Sequence, residues 1–83
     1  GDARPADELH DLALASPDPE ELALRQLRLL QRADWLVHAP DVPAAVLDRA
    51  RRDAARIPLA GDAPMPSGLS GVVVRIRMKH DAH

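Results

Sequence analysis

Apolar and polar positions along this chain follow two different periods, and the switches between them divide it into strands and helices. Leu9 to Ala15 (LHDLALA) alternates before turning apolar, the period-two pattern of a half-buried strand. Ser16-Pro17-Asp18-Pro19 then reads as a helix entrance. Asp18 can accept hydrogen bonds from the unpaired N–H groups of a first turn, and Pro19 at the first helical position leaves no N–H unpaired. Glu21, three residues after Asp18, makes a capping box available, and Glu20 adds negative charge at the positive helix end. The spacing predicts one helix from Pro19 to Arg32. Leu22, Ala23, Leu27, Leu29, Leu30 and Ala33 form its apolar face, with Arg25, Arg28 and Arg32 opposite. Asp34–His38 (DWLVH) is a short apolar second strand. A loop through Pro43 feeds a second helix over 43–54, with Val42, Val46, Leu47, Ala50 and Ala54 as its buried stripe. Residues 56–60 suit a short third strand, 61–70 (GDAPMPSGLS) a loop, and 71–78 (GVVVRIRM) a strand led by three β-branched residues.

Strands alternating with helices imply a small α/β sandwich: three to four mostly parallel strands with two main helices. Residues 1–8 read as a linker, 9–79 as the domain and 80–83 as a polar tail. A parallel return needs about a dozen residues, usually with a helix. The stretch before the last strand holds only the 61–70 loop. That strand is therefore expected either to take an unusual position or to complete its pairing with a second chain.

At 83 residues the chain can bury only about 60% of its unfolded surface, so a homodimer or other partner contact would relieve a thin core. Trp35 is the only aromatic residue, which leaves the core to Leu, Val, Ile and Ala and makes Trp35 a core or interface anchor. A formal charge of −2 excludes a nucleic-acid footprint, which requires clustered cations. Without cysteine there is neither a disulfide framework nor a thiolate metal site. No run approaches the ~20 apolar residues of a membrane span, so a cytoplasmic, membrane-free setting is expected.

Candidate chemistry is sparse. His80 and His83 sit three apart in the tail with no third ligand fixed beside them. His38 ends a strand, His10 lies within one, and no metal site is expected. Ser16 has no histidine base placed by sequence. The Arg25, Arg28 and Arg32 row is either a solvated helix face or a cradle for carboxylates. Arg75, Arg77 and Lys79 alternate along the last strand, as a guarded sheet edge or as a binding face.

Residues 16–56 carry a resemblance. DPE (18–20), Leu22 with Leu24, RLLQ (28–31), AD (33–34) and RRDA (51–54) match the order of the motifs GDPELLTLRALRLLQ, ADVVVYDRLV and SPEILALARRDAER. Those motifs open uroporphyrinogen-III C-methyltransferases and siroheme synthases, the tetrapyrrole methyltransferase family. The chain resembles the N-terminal part of that family over about residues 9–81. The resemblance implies S-adenosylmethionine as the family's cofactor, approached closely by a glycine-rich loop. In this chain Ala13, Ala15 and Pro17 stand at the three glycine positions, before Asp18. Alanine in left-handed geometry costs roughly 1–2 kcal/mol, and proline fixes φ and removes an N–H. These side chains are expected to occupy space that the cofactor needs. The family's Tyr-Asp-Arg-Leu becomes His38-Ala39-Pro40-Asp41, with Asp41 two positions late and better placed to cap the second helix. Its Gly-Gly-Asp-Pro becomes Met78-Lys79-His80-Asp81.

The resemblance with these losses implies a degenerate module of a siroheme-synthase-type protein, serving structure or interaction. No catalytic residue and no bound cofactor is expected for this chain. Two alternatives stand: half of an S-adenosylmethionine-dependent tetrapyrrole methyltransferase active only with a partner or longer parent chain, and a tetrapyrrole-binding module without transfer chemistry.

Overall fold

The computed structural model describes residues 8–60 and 63–79. The expected linker up to Asp7 and the tail from His80 lie outside the described residues. Glu8, assigned to that linker by composition, instead begins the first strand, because it pairs with Val72 and its N–H donates to the Gly71 carbonyl.

Four strands form one parallel sheet: β1 (Glu8–Leu14), β2 (Trp35–His38), β3 (Ala55–Pro58) and β4 (Val72–Met78), in the order β1-β4-β2-β3. The last strand therefore completes its pairing inside its own sheet, between β1 and β2. The reason is burial. Val73, Val74 and Ile76 are at most 1% exposed. An interior parallel strand is the one place where both faces of such a run can be covered. Arg75 and Arg77 therefore do not guard a sheet edge; the edges are β1 and β3.

Two helices, α1 (Leu24–Arg32) and α2 (Ala44–Leu47), cover one face of the sheet. Leu30, Ala33, Val46 and Leu47 pack there against Leu12, Leu14, Leu36, Val74 and Ile76. The chain returns from β3 to β4 across the opposite face, where Leu59, Met65 and Leu69 pack on Val37, Val73, Trp35 and Ile57. Changing face as the chain reverses direction keeps every crossover of one hand, the condition that right-handed βαβ geometry imposes. Trp35 thus anchors a second, smaller core, at half burial.

Both helices are shorter than their periodicity predicts. Pro19–Glu21 is a separate 3-10 turn, and Leu22 and Ala23 are extended, with ψ of 134° and 151°. Leaving the helix there lets Leu22 pack against the core, while Ala23 stays exposed. The new helix start is satisfied by Gln26, whose Oε1 accepts from the Ala23 N–H at 2.9 Å. Leu24 consequently faces outward, 61% exposed. The second helix is one turn, followed by i→i−3 bonds from Arg49 to Val46 and from Ala50 to Leu47, which tighten it out of α geometry. Its predicted stripe still points inward, with Val42, Val46, Leu47 and Ala54 buried.

Two polar junctions fix the sheet. Asp34, just before β2, accepts from the Val72 N–H at 2.8 Å and from Arg51 at 3.0 Å, and its backbone bonds to both β4 and β3. At the other corner Glu8 accepts from Arg32 through both carboxylate oxygens, at 2.9 and 2.8 Å, and contacts His10 Nε2 at 2.9 Å. The hydrogen bond with His10, then the Arg32 charge, hold the Glu8 carboxyl below its ordinary value. A carboxyl whose folded value is depressed stabilises above its unfolded range, near pH 4.3 for Glu, and loses that contribution as pH falls through the folded value. Glu8→Gln is thus expected to lower stability slightly at neutral pH, the deficit closing as both proteins are acidified. Urea denaturation at neutral pH and at about pH 3 checks this; a deficit unchanged by pH would contradict the assignment.

Candidate functional site

The carboxyl ends of parallel strands are where open α/β sheets bind ligands. In this chain β1 delivers its last residues into such a place. Ala13, Leu14, Ala15, Ser16, Asp18, Glu21, Leu22 and Gln26 line an open cleft of about 380 Å³ between the end of β1 and the start of α1. That volume lies within the roughly 300–1,000 Å³ of small-molecule pockets. The crowding expected from Ala13, Ala15 and Pro17 does not close it. Ala13 and Ala15 form part of its wall, and Pro17 is not among the lining residues. The physical reason is the backbone route: among the described residues no non-glycine residue has positive φ, so the loop passes without the left-handed turns that glycine would permit.

The loop's own hydrogen bonds decide what the cleft offers. Pro17 and Pro19 carry no N–H. The Asp18 N–H donates to Ser16 Oγ at 3.1 Å, and the Glu20 N–H to Asp18 Oδ1 at 2.9 Å. The N–H groups of Glu21 and Leu22 donate to the carbonyls of Asp18 and Pro19, and that of Ala23 to Gln26. Every backbone position from 17 to 23 is therefore either without a donor or already engaged. The exposed carboxylates of Asp18 and Glu21 also line the cleft, beside the side chains of Ser16 and Gln26. Asp18 caps the 3-10 turn as its sequence position suggests. Ser16 and Gln26 take roles that the sequence reading does not assign to them. Their signals are a hydroxyl two residues before a cap and an amide three residues after a break in the helix.

The other candidate residues do not converge on this cleft. His38 Nδ1 lies 3.1 Å from the Ala39 carbonyl, and the Ala39 N–H donates to Ile76. Asp41 stands two residues before Pro43, which holds the N-cap position of α2. Lys79 continues the ladder, its N–H donating to the Leu14 carbonyl at 2.7 Å, whereas His80, Asp81 and His83 lie outside the described residues. Arg32 is engaged by Glu8, so only Arg25 and Arg28 of the predicted row project without an ion pair among the described residues. No group of three or more His, Asp or Glu side chains among the described residues is arranged to share a metal ion. No helix among them is long and apolar enough to cross a membrane.

Comparison with known proteins agrees with this architecture. Siroheme synthases of Gluconacetobacter diazotrophicus and Methylococcus capsulatus match 40 residues, 48% of this chain, at 48% and 55% identity. The siroheme synthase of Nitrosomonas europaea matches 56 residues, 68% of the chain, at 38% identity. The chain spans only 8% to 12% of these relatives' lengths. Among solved structures, the cobalamin biosynthetic enzyme cobalt precorrin-4 methyltransferase shares the fold over 86% of this chain and 34% of its own, with a TM-score of 0.66 at 20% identity. No protein-family model matches.

Proposed function

The chain carries a segment of the tetrapyrrole methylase family, and from that premise we propose that it is a non-catalytic structural or interaction module of a siroheme-pathway protein, acting in the cytoplasm. The observation that carries this reading is the self-satisfied loop. A site for the amino-acid end of S-adenosylmethionine must offer donors to its carboxylate. Here the backbone donors from 17 to 23 are absent or spent. Nor does an acid–guanidinium pair follow β2, where Ala39 and Pro40 stand. Incubated with S-adenosylmethionine and uroporphyrinogen III, the chain is expected to transfer no methyl group above background. Turnover by the chain alone would overturn the reading.

One observation favours a second reading. The cleft remains open and ligand-sized, so the chain could form half of a tetrapyrrole methyltransferase whose missing donors come from a partner. That reading expects methyl transfer only in a mixture with a chain supplying the remaining part. A mixture that stays inactive excludes it.

A further inference from the structure

The helix break at Leu22 and Ala23 leaves an apolar group outside both cores. Leu24 opens α1 at 61% exposed, more than any other large hydrophobic residue among those described. Leu27, three residues on and therefore its neighbour on the helix surface, is half-buried yet belongs to neither hydrophobic core. Ala23 beside them is exposed. A lone exposed leucine is ordinary on a protein surface; an i, i+3 leucine pair flanked by charge is a surface with a pattern. Here the charge follows a fixed order. Glu21 precedes the pair and Arg28 follows it, both exposed and neither in an ion pair among the described residues. Glu20 is not counted, because Arg49 engages it at 2.7 Å. An acid and a base on either side of an apolar centre complement themselves when turned about a two-fold axis.

We propose that this surface docks a second copy of the chain, the two α1 helices antiparallel, with Leu24 and Leu27 of both copies packed about the axis and Arg28 of each facing the partner's Glu21. A two-fold contact makes each such pair twice, so one acid and one base per chain supply two ion pairs. A uniformly acidic or basic polypeptide would match only one side of the leucine pair; a second copy matches both. One helix face per chain falls at the low end of interface sizes, below about 1,200 Å², and a dissociation constant between about 10 μM and 1 mM is expected. At the low micromolar concentrations of thermal melts the chain is then monomeric, and Leu24 behaves as an exposed residue. The proposal gives the interaction-module reading a partner and rests on that reading, but it can fail independently, since a chain that stays monomeric leaves the methyl-transfer result untouched.

The test is sedimentation equilibrium of the chain from about 10 μM to 1 mM, with NMR amide shifts followed over the same dilution. A monomer–dimer equilibrium is expected, with shifts at Glu21, Leu24, Leu27 and Arg28. Leu24→Asp is expected to remove the association. Arg28→Glu and Glu21→Arg, each alone, set like charges against one another at both contacts and should weaken it at least about tenfold. Mixed together, the two variants form a heterodimer in which both contacts are again acid against base, and association should return to within about threefold of the unaltered chain. No folding defect in either variant can produce that recovery. A chain that stays monomeric at millimolar concentration, a mixture that associates no better than either variant alone, or a dimer whose shifts lie away from α1 would each overturn the proposal.

Discussion

Replacing Gly71 with valine is expected to abolish the cooperative melt of this chain. Gly71 has φ of +86°, and a Cβ placed there would collide with the Asp34 carboxylate. Left-handed geometry alone costs a non-glycine residue about 1–2 kcal/mol, and more when it is β-branched. Displacing Asp34 also removes its charge-assisted bonds to the Val72 N–H and to Arg51, the kind of bond worth about 1.5–3 kcal/mol. Together these approach the lower end of the roughly 5–15 kcal/mol that holds a whole domain. Gly68 supplies the contrast: its φ is +84°, but open space surrounds its Cβ position. Gly68→Ala should therefore cost only the conformational part, about 1–2 kcal/mol. Thermal unfolding by circular dichroism separates the two. Equal melts for the two variants would refute the role given to Asp34.

Leu36→Ala is the second large effect. Leu36 is 0% exposed, lies on an interior strand opposite Val74, and belongs to the main core with Leu30 and Val46. Truncating a buried leucine costs about 2–5 kcal/mol, counting the cavity left behind. In a domain of this size each kcal/mol moves the midpoint by about 4–8 °C, so a fall of at least about 8 °C is expected. Leu24→Ala, removing a leucine that is 61% exposed, should change stability by no more than about 0.5 kcal/mol. If Leu24→Ala cost as much as Leu36→Ala, the assignment of faces would be wrong.

The strands are legible in the sequence because each is a local pattern. LHDLALA and GVVVRIRM announce β1 and β4 within one or two residues of their ends. The position of β4 is not legible, because strand order depends on which apolar run needs cover on both faces, and that is a property of the whole sheet. The break at Leu22 and Ala23 is hidden for a similar reason. The helical period runs unbroken through those residues, yet core packing of Leu22 and the Gln26 bond outweigh a weak propensity. At the candidate site, replacement of the loop glycines reads in the sequence as crowding. The outcome is different in kind: the space stays open, but the donors are consumed by Ser16, Asp18 and Gln26. Sequence can name the missing residues, but not how the remaining ones satisfy one another.

Calorimetric titration of the chain with S-adenosylmethionine, repeated with Ser16→Ala and Asp18→Ala, tests the central claim most directly. The self-satisfied loop predicts no binding heat up to millimolar cofactor in the unaltered chain. Micromolar binding with a heat that disappears in Asp18→Ala would contradict it, and would assign a ligand role to a carboxylate read here as a cap.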